Sequence, residues 1–228
     1  MSTRSGTTPG TTSARISRVR GLDGASNILD TPSIIKDDLN RRIAGRVREL
    51  RAARELSLEA LAAKSGVSRS MISLIERGEA SPTAVVLEKL AGGLGAMLAT
   101  LFDAPAARSA GRPLARRADQ PEWQDPASGY RRRNVSPPGA RQPFSIVEVL
   151  FPPGGRVAFE TGGRDARVQQ QVWVLEGAID VTLGAERHRL REGDCLAMEL
   201  DRPTLFHNPT RKPTRYAVVI ASAAPVKR

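Results

Sequence analysis

The sequence predicts a two-domain chain: an all-α domain of five helices followed by an all-β barrel. Three observations predict it. Apolar residues recur at helical spacing through residues 37–102. From Phe144 the period changes to two, in short runs separated by Gly- and Pro-containing turns. Between these regions lies a stretch rich in Pro, Gly, Ala and Arg. The 228 residues leave room for one large domain or two small ones. Aromatic residues make up only 4% of the chain, so its cores must be mostly aliphatic.

Residues 1–36 are rich in Ser, Thr, Gly and Arg, lack apolar periodicity, and read as a disordered basic tail. From Asp37, the residues Leu39, Ile43, Val47 and Leu50 form one stripe, with Asp37 and Asp38 placed where negative charge favours a helix start. Further helices are predicted over residues 57–65, 68–77, 83–94 and 97–102, completing a helical domain over 37–102. Residues 103–140 read as a linker whose Trp123 and Tyr130 suggest edge strands. The runs SIVEVLF, RVAFE, QVWVLEG, AIDVTL, HRLREGD and RYAVVIA then build an all-β domain over 141–224.

No run of about 18 apolar residues exists and no signal peptide is visible, so a cytoplasmic protein with no membrane partner is expected. The single Cys195 cannot form an internal disulfide and is expected to be a small buried residue in a reducing compartment. The formal charge of +11 divides as +5 over residues 1–102, +3 over 103–140 and +3 over 141–228, so no module concentrates it. A basic chain suits a polyanionic partner, but this charge by itself does not identify DNA.

Residues 56–82, LSLEALAAKSGVSRSMISLIERGEASP, are the most informative stretch. Ser57 can cap one short helix and Ser68 the next, Gly66 permits the left-handed backbone that ends the first, and Val67 anchors the turn. Ile72 and Ile75 face inward, which leaves Arg69, Ser70, Ser73 and Leu74 on or near the outer face. The segments Leu61–Ala62, Gly66–Ser68, Ile72–Ser73, Ile75–Gly78 and Ser81–Pro82 resemble the helix-turn-helix of phage-repressor-like (Xre/Cro) regulators over residues 39–102. The resemblance implies a homodimer on double-stranded operator DNA with an inverted repeat. It places Arg69, Ser70 and Leu74 where base edges are read, and Ser68 at a backbone or edge-base contact. Ser73 completes the expected DNA-binding set. Leu58 stands where several family members carry a DNA-contacting Gln, so that contact is replaced by packing or lost. Arg51 has two readings, a phosphate contact or an ion pair with Glu76, and the resemblance supports the second.

The run VWVLEGAIDVTLG with HRLREGD and HNP resembles the cupin jelly-roll family over 144–222, anchored by Gly177, Gly193, Asp194 and Asn208. Metal-dependent cupins hold their ion with histidines and a glutamate. Here the glutamate position falls at Gln170 and the last histidine position at Thr204. The chain has only His188 and His207, so no metal, cofactor or catalytic residue is expected. The resemblance implies a binding cup, with Arg164, Gln170, Thr204 and His207 as candidate pocket residues. A buried Arg164 would favour a carboxylate or phosphate. Arg164 in an exposed turn and His207 bonded to a strand neighbour are the competing readings. The expected function is a non-enzymatic regulator whose cup binds a small-molecule effector of unknown identity. The alternatives are a purely dimerising barrel and a metal-dependent cupin enzyme.

Overall fold

The computed structural model describes residues 31–102, 113–137, 144–160 and 168–222. The basic tail through residue 30 and the candidate pocket residue Arg164 lie outside the described residues.

The helical part comprises α1 (Thr31–Ala52), α2 (Leu58–Ser65), α3 (Arg69–Glu76), α4 (Ala84–Gly93) and a 3₁₀ turn at Leu98–Phe102. Four α-helices and a 3₁₀ turn therefore stand in place of the five expected helices. The last segment is too short for a stable α-helical turn of its own and is held by tertiary contacts. Helix α1 begins six residues before the expected Asp37. Pro32, early in the helix, favours that start because it needs no hydrogen-bond partner there. Asp37 and Asp38 consequently lie inside the helix and not in its first turn. The stripe Leu39, Ile43, Val47 and Leu50 is buried as its spacing predicts.

The caps follow from the residue types. The Ser57 hydroxyl accepts from the Ala60 amide at 3.0 Å, and Gly66, at φ 67°, returns its amide to Ala62 O at 2.9 Å. Ser68 and Thr83 cap α3 and α4 in the same way. Helices α2 and α4 meet where Gly93 has no side chain; a Cβ there would lie 2.8 Å from the Ser65 Cβ.

The β part consists of two antiparallel sheets. One holds β1 (Glu122–Gln124), β2 (Arg131–Asn134), β3 (Phe144–Phe151), β10 (Thr214–Ser222), β5 (Val168–Glu176) and β8 (Cys195–Glu199), in that order. The other holds β4 (Arg156–Phe159), β9 (Thr204–His207), β6 (Ala178–Leu183) and β7 (Glu186–Arg191), in that order. The ladders end at β1 and β8 in one sheet and at β4 and β7 in the other. Among the described residues the fold is therefore an open double sheet and not a closed barrel. The 103–140 segment supplies β1 and β2, with β2 paired to both β1 and β3. Its YRRRN run is too short and too charged to show a period-two signature.

Strand alternation sets the interior. In β5, Val168, Gln170, Val172 and Val174 point in, while Gln169, Gln171 and Trp173 point out. The same rule overturns the expectation of a buried cysteine: Leu196 and Met198 of β8 turn inward, so Cys195 is exposed. The cupin anchors serve the fold. Gly177 and Gly193 adopt φ 83° and 86°, and the wholly buried Asn208 donates to Phe151 O at 3.3 Å and Lys212 O at 2.8 Å.

The two parts are joined by specific contacts. The buried Asp125 carboxylate, from the turn between β1 and β2, accepts the Ala84 amide at 2.9 Å, at the N-terminus of α4, where a negative charge complements the helix dipole. The Asn134 side chain donates to Ala99 O at 3.4 Å. Seven of the nine aromatic residues form one continuous series of ring contacts from the 3₁₀ turn into the double sheet: Phe102, Trp123, Tyr130, Phe151, Tyr216, Phe206 and Phe159. A chain with few aromatics has spent most of them along this seam.

Candidate nucleic-acid interface and ligand cup

Helix α3 is amphipathic. Ile72 and Ile75 are buried, while Ser68, Arg69, Ser70 and Met71 are exposed and Ser73 and Leu74 are half-buried. The outer face therefore contains the five residues named from the sequence. It also contains Met71, which the sequence reading missed because a methionine between a serine and an isoleucine carries no signal of orientation. The Ser68 and Ser70 hydroxyls lie 3.2 Å apart. Arg69 pairs with Glu59 at 2.6 Å, both side chains more than 60% exposed, so the contact is weak and exchangeable. The Ser73 hydroxyl accepts from Arg77, which also pairs with Glu79. Leu58 packs on the core. Arg51 makes a two-pronged pair with the buried Glu76, at 2.7 and 2.8 Å, and donates to Leu56 O. These bonds tie α1 to α3 and account for both residues as scaffold.

The double sheet encloses a cavity of about 70 Å³ between its two layers. Gln170 and Thr204 line it together, against Val157, Val218, Ile220 and Phe206. The Thr204 hydroxyl donates to Arg202 O at 3.2 Å. The sequence reading missed three polar side chains there, Tyr130, Arg132 and Tyr216, and three residues of the helical part, Glu88, Met97 and Leu98. Tyr130 and Arg132 sit in the segment read as a linker. No local pattern could have found the helical residues, because only docking of the two parts brings them to the cup.

The cavity's donor set does not suit a metal. The two family ligand positions within the described residues carry an amide, Gln170, and a hydroxyl, Thr204. Among the described residues no group of three or more His, Cys, Asp and Glu could hold an ion.

His207 is not among the residues lining the cup. Thr204 and Phe206 of β9 face the cavity, so alternation turns His207 to the outer side of the four-stranded sheet. There it stands in a cross-strand row with Arg156, Asp180 and Arg189. Its ring lies 3.9 Å from the buried Asp180 carboxylate, which also pairs with Arg187. Burial holds the His207 pKa below its ordinary value, helped by Arg156 and Arg187 and opposed by Asp180. The folded state thus resists a proton that the unfolded chain accepts near pH 6.5. Stability should be fully present above that pH, fall as the pH drops through it, and level off below the depressed folded value. Urea unfolding at pH 7.5 and pH 5.5 should show a smaller difference for His207→Gln than for the parent protein. An equal difference would show that His207 does not carry this dependence.

These features define a class: a helix-turn-helix domain joined to an antiparallel double sheet. Residues 47–97 match the family model described as "Helix-turn-helix", HTH_3. The chain thus carries an Xre-type helix-turn-helix domain within its helical part. It is 25% identical over 185 residues to "HTH-type transcriptional regulator SutR" of Escherichia coli (strain K12), covering 75% of this chain and 90% of that protein. It is also similar to a crystal structure of an HTH_3 family transcriptional regulator from Vibrio cholerae. That likeness has a TM-score of 0.67 and 26% identity, and covers 82% of this chain and 99% of the other. Both relatives are named as transcriptional regulators. No helix among the described residues is long and apolar enough to cross a membrane.

Proposed function

We propose that the protein binds operator DNA as a cytoplasmic homodimer, reads it through Ser68, Arg69, Ser70, Ser73 and Leu74, and adjusts that binding when a small molecule enters the cup. It is a sensor and not an enzyme. Helix α3 presents exposed hydrogen-bonding side chains on the face opposite its buried isoleucines, as insertion into a major groove requires. The observation that carries the sensing role is the shared lining of the cup. Glu88 of α4 and Met97 and Leu98 beside it meet the strand residues around one cavity. A molecule in that cavity touches both parts at once. It can favour one arrangement of the reading head if it binds that arrangement more tightly.

Thermal-shift screening of small acids, amino acids and amines tests the reading. A bound compound at 100 times its Kd stabilises the folded state by about 2.7 kcal/mol. Thr204→Leu, which fills part of the cup, should abolish the shift and the accompanying change in DNA affinity while leaving DNA binding by the empty protein within about twofold. If no compound shifts the melting curve and Thr204→Leu behaves as the parent, the double sheet serves dimerisation alone.

A further inference from the structure

The cup contains polar groups that no other described residue satisfies. Tyr130 and Tyr216 are each 4% exposed and Gln170 is 8% exposed, and all three line the same cavity. Among the described residues, neither tyrosine hydroxyl nor the Gln170 amide makes a hydrogen bond. Three such polar groups facing one largely apolar cavity offer hydrogen-bonding positions to a molecule that enters it. Burial holds both hydroxyl protons more tightly than usual, which keeps the tyrosines neutral donors at physiological pH.

A cationic side chain in the same lining identifies the partner's charge. Arg132 of β2 is 6% exposed and lines the cavity. A guanidinium donates and never accepts, and its fork matches a carboxylate. We propose that the cup takes a short aliphatic carboxylate, its charged end held by Arg132, Tyr130, Tyr216 and Gln170 and its alkyl end lying against Val157, Val218 and Ile220. This rests on the sensing role proposed above and names the class of molecule sensed. Size supports a short chain, since the cavity measures only about 70 Å³. Charge supports a monoanion over a phosphate, because the Glu88 carboxylate, 8% exposed, lines the same space.

Arg132 also connects the cup to the reading head. Its guanidinium carbon lies 5.0 Å from the centre of the Phe102 ring, and its Nε donates to Asn134, which holds Ala99 O. Phe102 and Ala99 both belong to the 3₁₀ turn that closes the helical part. A carboxylate that draws the guanidinium toward the cavity acts directly on that turn.

Titration calorimetry on the full chain uses four compounds of one alkyl shape: sodium isovalerate, L-leucine, 3-methylbutan-1-ol and 3-methylbutylammonium chloride. At least one carboxylate should bind, with the alcohol and the amine at least tenfold weaker. Arg132→Gln should weaken that carboxylate at least tenfold. Tyr216→Phe keeps the ring stacked on Phe206 and should weaken it severalfold with an unchanged melting temperature. Tighter binding of leucine than isovalerate, equalised by Glu88→Gln, would extend the class to α-amino acids with Glu88 receiving the ammonium group. Tighter isovalerate would confine it to simple acids. Binding of the alcohol as tight as isovalerate, failure of both carboxylates to bind at 10 mM, or an unchanged affinity in Tyr216→Phe would overturn the proposal. Alcohol binding that Thr204→Leu abolishes would remove the carboxylate class while leaving the sensing role in place.

Discussion

Replacing Arg69 and Ser70 together by alanine should weaken binding to operator DNA by about 2–4 kcal/mol, roughly 30- to 700-fold, without unfolding the helical domain. Both residues lie at the start of α3 on its exposed face, where side chains meet base edges when such a helix enters the major groove. Arg69 can place two donors on a guanine, and Ser70 can donate or accept at an adjacent base. Their loss is inexpensive to the fold. The Arg69–Glu59 contact is between two exposed side chains, and pairs of that kind contribute about 0–1 kcal/mol. The capping bond from Ser68 to the Met71 amide is untouched. Gel shifts on operator DNA selected with the parent protein, beside an unrelated duplex, give the measurement. A loss confined to the selected sequence is expected, since phosphate contacts remain. Equal affinity of parent and double variant for the selected DNA would sink this account of readout.

The largest loss of stability should come from Glu76→Ala, at about 3 kcal/mol. Removing one partner of a buried ion pair costs about 3–5 kcal/mol because the other charge is left uncompensated. The low end applies because the Arg51 side chain retains 20% exposure and keeps its bond to Leu56 O. Glu76 itself is 7% exposed and accepts two bonds from one guanidinium, which locks α1 against α3. Denaturant unfolding followed by helical circular dichroism measures the loss. Glu76→Gln should recover part of it, because an amide oxygen still accepts one of the two bonds. A loss below about 1 kcal/mol for the alanine variant would show that the pair is not the tie between these helices.

The reading head was legible in the sequence because its signals are local. Ser57, Gly66 and Ser68 act within a few residues of themselves, so their caps appear where their types require them. The Leu39, Ile43, Val47 and Leu50 stripe is a matter of helical period alone. The start of α1 was less legible, because Pro32 is compatible with a helix start and also with a loop. Within the double sheet, strict alternation in β5 put Gln170 inside and Trp173 outside, as period two requires. The same alternation in β9 separates Thr204 from His207, which nearness to the cup in sequence had grouped together.

The cup itself divides the same way. The sequence by itself determined the two-part architecture, the capped helices and the exposed side of α3. Each depends on backbone period and on side chains acting over one or two turns. Tertiary structure alone decided that RRRN forms an interior strand, that Arg132, Tyr130 and Tyr216 converge on one cavity, and that Glu88, Met97 and Leu98 join them. Those residues lie up to 128 positions apart, from Glu88 to Tyr216, and nothing in a local window links them. Their meeting depends on which faces two folded parts bury against each other, a choice set by the whole packed surface and not by any stretch of chain.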